Sequence, residues 1–99
     1  MERVLQLRIA RRKIENAPAT IRVMAGDRIE LRWTTDEATT VHLHGYDLKL
    51  ALDPATEGHI RVEANATGRF PISAHGFGAA TDKDAHREVV LLYLEVHPR

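Results

Sequence analysis

The stretch TIRVMAGDRIELRW, residues 20–33, gives the clearest indication of the fold. Apolar and polar side chains alternate on both sides of the Gly26-Asp27 pair. Successive side chains of a β-strand point to opposite faces, so this alternation predicts two strands that each bury one face. Glycine followed by aspartate is typical of a tight turn, so the two strands are expected to meet there. The apolar positions are Ile21, Val23, Ile29, Leu31 and Trp33.

The same two-residue period recurs along most of the chain, and turn-forming residues separate the runs. Many short strands with few helical patterns predict one all-β domain over residues 1–99, a Greek-key antiparallel β-sandwich of about eight strands. The last run, REVVLLYLEV at 87–96, is apolar enough to be buried on both faces or to close a sheet. The predicted core consists of Leu31, Trp33, Leu50, Val62, Phe70, Ile72, Leu92 and Leu94.

The composition excludes several classes of function. The 99 residues contain 14 Lys+Arg, 14 Asp+Glu and no cysteine. Balanced charge argues against nucleic acid as the main partner, and the lack of cysteine excludes disulfides, thiolate metal sites and cysteine nucleophiles. Because the sequence has no nucleophile elbow, HExxH or phosphate loop, we expect that it is not an enzyme.

The start of the chain bears on where the protein acts. MERVLQLRIARRK has no apolar signal core, and no apolar run reaches the roughly 20 residues that span a bilayer. Either the protein is cytoplasmic, or an export signal has been removed and replaced by Met1. Composition does not separate these two expectations.

Histidines provide the candidate site. In TTVHLHGYDLKL, residues 39–50, His42 and His44 are two residues apart and should share one face of a strand. His75 closes the run RFPISAH, and His86 lies late in the loop predicted over 76–88. If these side chains meet, the nitrogen-rich site suits Cu(II), Zn(II) or Ni(II). The alternative is that His42 and His44 lie unliganded on a solvent-facing surface.

The order of motifs resembles the cupredoxin family across nearly the whole chain. The motifs are ATIRVMAGDRIELRWTTDE, VHLHGYDL, ATGRFPISAHG and VVLLYLEVHP. HGYDL is similar to the histidine-glycine-aromatic signature in the copper domains of cytochrome oxidase subunit II and nitrous oxide reductase. This resemblance implies a periplasmic or exported protein and gives His44 the position of the first copper ligand. We expect His42 to assist His44, with His75 as third ligand and His86 as fourth.

The chain also departs from the cupredoxin pattern. The resemblance puts the family's cysteine ligand at Ala74, and the loop that follows contains no methionine. A blue copper centre needs the thiolate, so we expect a cysteine-less cupredoxin-like domain that gives no intense visible band with Cu(II). Copper, as Cu(II) or a histidine-held Cu(I), or zinc would be bound for sequestration, delivery or sensing. The alternative is a metal-free degenerate cupredoxin, a protein-binding or assembly module that pairs with a partner or a second copy along the edge of VVLLYLEV.

Overall fold

The computed structural model describes residues 2–77 and 88–99. These residues form nine strands and no helix, so the described part of the chain has no helix long and apolar enough to cross a membrane. The strands are β1 (Glu2–Ala10), β2 (Lys13–Ile14), β3 (Thr20–Met24), β4 (Arg28–Thr35), β5 (Thr39–Leu43), β6 (Leu48–Leu52), β7 (Gly58–Glu63), β8 (Gly68–His75) and β9 (Val89–His97).

Two sheets pack face to face. One sheet has the strand order β2-β1-β4-β7, and the other has the order β3-β9-β8-β5-β6. The predicted Greek-key β-sandwich is confirmed, with the difference that each sheet contains one parallel pair, β1 with β4 and β3 with β9. The connection from β1 to β4 passes through β3, which belongs to the other sheet, so no hairpin forces these two strands to run in opposite directions.

The core lies between the inner faces of the sheets. Six of the eight predicted core residues are buried, whereas Leu50 and Phe70 are partly buried against the core. Leu50 lies on β6, an edge strand that pairs with β5 on one side only. Phe70 packs beneath the turn that follows β5. The buried apolar side chains are Leu7, Ile9, Ile21, Val23, Ile29, Leu31, Trp33, Val41, Leu43, Leu52, Ile60, Val62, Ala64, Ile72, Ala74, Phe77, Leu92, Leu94 and Val96.

Strand β9 differs from its prediction in two ways. It is not buried on both faces, because Leu92, Leu94 and Val96 face the core while Val90 is 49% exposed. It is also an interior strand, paired with β8 on one side and with β3 along residues 93–97 on the other. The backbone groups of 93–97 are therefore already used, and the expectation that the edge of VVLLYLEV pairs with a partner is wrong for this part of the strand.

Candidate metal centre

The two histidines of the HxHG motif project from the outer face of the five-stranded sheet. Val41 and Leu43, which alternate with them, are fully buried on the inner face. The His42 side chain is 17% exposed, and its ring centroid lies 3.9 Å from that of His44. The strand period therefore places both imidazoles side by side, as the sequence predicts.

A serine and a glutamate complete the cluster. Ser73 on β8 pairs with His42 across the sheet, and Glu88 directly precedes β9. The Nε2 atom of His44 lies 2.9 Å from the Ser73 hydroxyl oxygen and 2.7 Å from Oε1 of Glu88. The Ser73 hydroxyl donates a hydrogen bond to the same carboxylate oxygen. Three strands thus contribute to one small polar group.

The cluster has the spacing that a metal ion requires. One ligand atom each from His42, His44 and Glu88 can be chosen so that all three lie within 4.8 Å of one another. The Nδ1 atom of His42 lies 4.0 Å from Oε1 of Glu88, and Nε2 of His44 lies 2.7 Å from it. These separations bracket the roughly 3.3 Å between ligand atoms that follows from tetrahedral metal–ligand bonds of about 2.0 Å.

The protonation states also favour metal binding. Burial, and then the neighbouring His44 charge, hold the pKa of His42 below its ordinary value. Hydrogen bonds from Ser73 and then from His44 hold the pKa of Glu88 below its ordinary value. A neutral imidazole and an ionised carboxylate are the forms that bind metal ions.

A β-bulge brings Glu88 to this face. Ile72 pairs with Leu92, but the next residue, Ser73, pairs with Val90, so Leu91 has no partner on β8. The extra residue reverses the alternation of the strand that precedes it. Counted from Leu92 without the bulge, Glu88 would face the core. With the bulge, it faces the histidines, and no glycine in VVLL signals this in the sequence.

The turn after His44 depends on glycine. Gly45 has a φ of 89°, and a Cβ atom there would overlap the Phe70 ring. Tyr46 then packs edge-on against Phe70, with 4.9 Å between ring centroids, and its hydroxyl donates to the Ala66 carbonyl at 2.7 Å. The HGY sequence therefore fixes the direction in which the chain leaves the site.

Of the two remaining predicted ligands, the structure describes His75. His75 pairs with Thr40 at the end of β8, and among the described residues it is not part of the three-ligand cluster. Its carbonyl accepts a hydrogen bond from the Thr39 hydroxyl at 2.8 Å. His86 lies outside the described residues. Ala74, to which the sequence resemblance assigns the place of a cysteine ligand, is buried in the core and pairs with Val41, on the face opposite to the histidines.

Comparison with known proteins supports the fold. The sequence matches no family model and no curated protein. A chain of a heme-copper terminal oxidase dimer has a TM-score of 0.66 at 16% identity, covering 90% of this chain and 64% of that one. A blue copper oxidase from Nitrosomonas europaea has a TM-score of 0.71 at 17% identity, covering 100% of this chain and 40% of that one.

A copper-binding protein in its apo form, solved by NMR, has a TM-score of 0.66 at 7% identity, covering 95% of this chain and 86% of that one. The fold is cupredoxin-like. At these identities the similarity concerns the fold alone, and this chain spans less than two thirds of the two oxidase chains. The cupredoxin-like domain carries its histidine cluster on the outer face of the five-stranded sheet.

Proposed function

We propose that this domain binds a divalent transition-metal ion, preferably copper, through His42, His44 and Glu88, for sequestration, delivery or sensing. The observation that carries the proposal is the convergence of these three ligand atoms within 4.8 Å. His42 on β5 and His44 just after it are two positions apart, whereas Glu88 is 44 positions from His44 in sequence. Only the folded sandwich brings them together.

The donor set indicates which metals fit. Two imidazole nitrogens and one carboxylate oxygen suit Cu(II), Zn(II) and Ni(II), and Cu(II) is the tightest in the Irving–Williams order. Zinc is the second choice, since three such ligands also form typical zinc sites. The similarity to a copper-binding protein in its apo form is consistent with copper. We further propose that the domain is not an enzyme and that it acts in the periplasm or after export, as the family resemblance implies.

A titration tests the proposal. Calorimetry of the tag-free protein with Cu(II) should show one ion bound per chain with micromolar or tighter affinity. His44→Ala should weaken binding by roughly 100-fold or more, because loss of an outer partner of a ligand alone costs about 10–100-fold. His97→Ala is the matched control, since the His97 imidazole is exposed and its Nε2 atom lies 3.1 Å from Glu95 at the far end of β9. Equal effects of the two substitutions would mean adventitious binding.

Absorption spectroscopy locates the ion. With Cu(II), the wild-type protein should give only the weak bands of nitrogen and oxygen ligands, because the sequence has no thiolate. Ser73→Cys places a sulfur where the hydroxyl lies 2.9 Å from Nε2 of His44. This variant should therefore gain an intense thiolate-to-copper band. A colourless Cu(II) complex of a folded Ser73→Cys variant would argue against the proposed position.

The metal-free alternative has its own outcome in these experiments. Absence of micromolar binding for copper, zinc and nickel would leave a protein-binding or assembly module as the better hypothesis. Residues 93–97 of β9 are not available for strand pairing, so such a module would use another surface. The exposed Val90, which pairs with Ser73 beside the cluster, would then be the first position to substitute.

A further inference from the structure

We propose that Glu88 makes this site selective for the divalent state of copper. Cu(II) takes both imidazoles and the carboxylate, whereas Cu(I) is held by His42 and His44 alone. This inference rests on the proposed function, and it assigns the oxidation state that the domain retains.

The chemical character of the available ligands favours Cu(II) over Cu(I). Cu(I) is a soft ion that prefers thiolate and thioether ligands, and the sequence contains no cysteine. Of the two methionines, Met1 lies outside the described residues, and Met24 is level with His97 at the far end of the sheet. His97 is nine residues along β9 from Glu88, which corresponds to roughly 30 Å of strand. No thioether of the described residues therefore lies near the cluster.

The charge of Glu88 also distinguishes the two ions. Glu88 is an acidic ligand whose Oε1 atom accepts a hydrogen bond from Ser73 and lies 2.7 Å from Nε2 of His44. Its attraction to an ion scales with the charge of that ion, so a divalent ion gains about twice as much as a monovalent one at the same distance. Water screens part of this gain, because the Glu88 side chain is 47% exposed. The part of this attraction that water does not screen still favours Cu(II) over Cu(I). The two imidazoles are neutral, so they do not offset the negative charge of Glu88.

The Glu88 carboxylate is held in place by the Ser73 hydroxyl. Ser73 is 1% exposed and lies beneath the cluster, where its hydroxyl donates to Glu88. Hydrogen bonds of this kind orient metal ligands from outside the coordination shell. The bulge at Leu91 sets the direction from which Glu88 approaches. Cu(I), which accepts two-coordinate geometry, would use the two imidazoles and gain little from this arrangement.

Paired affinity measurements on one set of variants test the inference. Cu(II) affinity is measured by competition with glycine, and Cu(I) affinity by anaerobic competition with bicinchoninate. Glu88→Gln should weaken Cu(II) binding by roughly 10–100-fold and Cu(I) binding by less than about threefold. Glu57→Gln is the matched control, since Glu57 also lies 2.7 Å from a histidine nitrogen, that of His59. The control should change neither affinity.

Two results would overturn the inference while leaving metal binding intact. In the first, Glu88→Gln weakens the binding of Cu(II) and Cu(I) equally; in the second, it weakens the binding of neither. In both, His44→Ala still weakens Cu(II) binding strongly. A wild-type protein that binds neither ion stoichiometrically would overturn the proposed function as well. Electron paramagnetic resonance of the Cu(II) forms adds a second readout, because Glu88→Gln should alter the spectrum and Glu88→Asp, which keeps the carboxylate, should restore most of the affinity.

Discussion

Two histidine–glutamate contacts of equal length lie on opposite outer faces of the sandwich, in different surroundings. Nε2 of His44 is 2.7 Å from Glu88 on the five-stranded sheet, and Nε2 of His59 is 2.7 Å from Glu57 on the four-stranded sheet. Glu57 directly precedes β7 and is two positions from His59, so this contact is local in sequence and needs no second strand. The contact of His44 with Glu88 requires three strands in register.

The neighbours of the two contacts decide their chemistry. Near His59, the acidic side chain of Glu30 lies 2.7 Å from the Arg32 guanidinium and 3.3 Å from that of Arg61. These permanent cations already neutralise Glu30 and would repel a metal ion. Glu88, among the residues that the structure describes, has only imidazoles and a hydroxyl as partners. Imidazolium can lose its proton to water and bind a metal ion through the freed nitrogen, whereas guanidinium stays protonated.

The largest expected effect concerns the glycine beside each histidine. Gly45→Ala should lower the free energy of unfolding by about 2–4 kcal/mol, because φ is 89° and the new Cβ atom would overlap the Phe70 ring. Gly58→Ala should cost less, about 1–2 kcal/mol, because Gly58 has no positive φ and the overlap is with the terminal methyl groups of Leu52 and Leu50 rather than with a ring. Urea denaturation of both variants measures the difference. Equal losses of stability would show that a Cβ atom is tolerated equally well at Gly45 and at Gly58.

A smaller effect is expected from the buried Ser73 hydroxyl, which contacts His44 and Glu88. Ser73→Ala should weaken Cu(II) binding by roughly tenfold, because Glu88 loses the hydrogen bond that orients it. Thr34→Ala is the control, since Thr34 is exposed on the outer face of the other sheet. Calorimetric titration of both variants measures the change. An unchanged affinity for Ser73→Ala would remove Ser73 from the account of the site.

The free energy of unfolding should decrease as the pH is lowered, because of the cluster of His42, His44 and Glu88. The pKa of His42 is lowered in the folded protein, so the unfolded chain takes up a proton first as pH falls through about 6.5. The pKa of Glu88 is also lowered, so its contribution is lost at more acidic pH, below about 4.5. Denaturation midpoints at a series of pH values should therefore decrease from neutral to acidic conditions.

The His42→Gln variant isolates the first of these two steps. It should lose part of the decrease in stability around pH 6 while keeping the decrease at lower pH. An identical pH profile for wild type and variant would show that His42 is not the group responsible. Copper binding should weaken over the same upper range, because protons compete for the imidazoles.

The smallest effect is expected near His59, where Arg61 pairs with Glu30. The Arg61 side chain is 86% exposed, so its ion pair with Glu30 is screened by water. Arg61→Ala should change the free energy of unfolding by less than about 1 kcal/mol and leave Cu(II) affinity unchanged. A change above about 2 kcal/mol would show that this network is more important than its exposure indicates.

The sequence predicts most of the fold because alternation reports directly on burial. Ile21 and Val23 are buried in β3, and Leu31 and Trp33 in β4, as the period indicates. Gly26 between these strands has a φ of 94°, which explains the turn. The parallel pairings were not predictable, since alternation shows which face is buried but not which strands are neighbours.

The candidate site was predictable in part. His42 and His44 share a face because they are two residues apart on one strand, which is a local property. Glu88 could not be found in this way, because the unpaired residue Leu91 reverses the alternation within an unbroken apolar run. His75 was chosen for its place at the end of β8, but the pairing with Thr40 puts it one step beyond the cluster.

The bulge in β9 has a consequence for how such a site is gained or lost in evolution. Leu91 is one residue without a partner on β8, and it separates the core-facing positions Leu92 and Leu94 from Glu88. Deletion of this single codon would remove the bulge and leave Glu88 on the outer face, because Glu88 would then be three positions from Leu92 in a regular strand. Regular pairing of Leu91 with β8 would instead turn Glu88 towards the interior. The site is therefore lost when the strand is straightened with Leu91 in place, and it is kept when Leu91 itself is deleted.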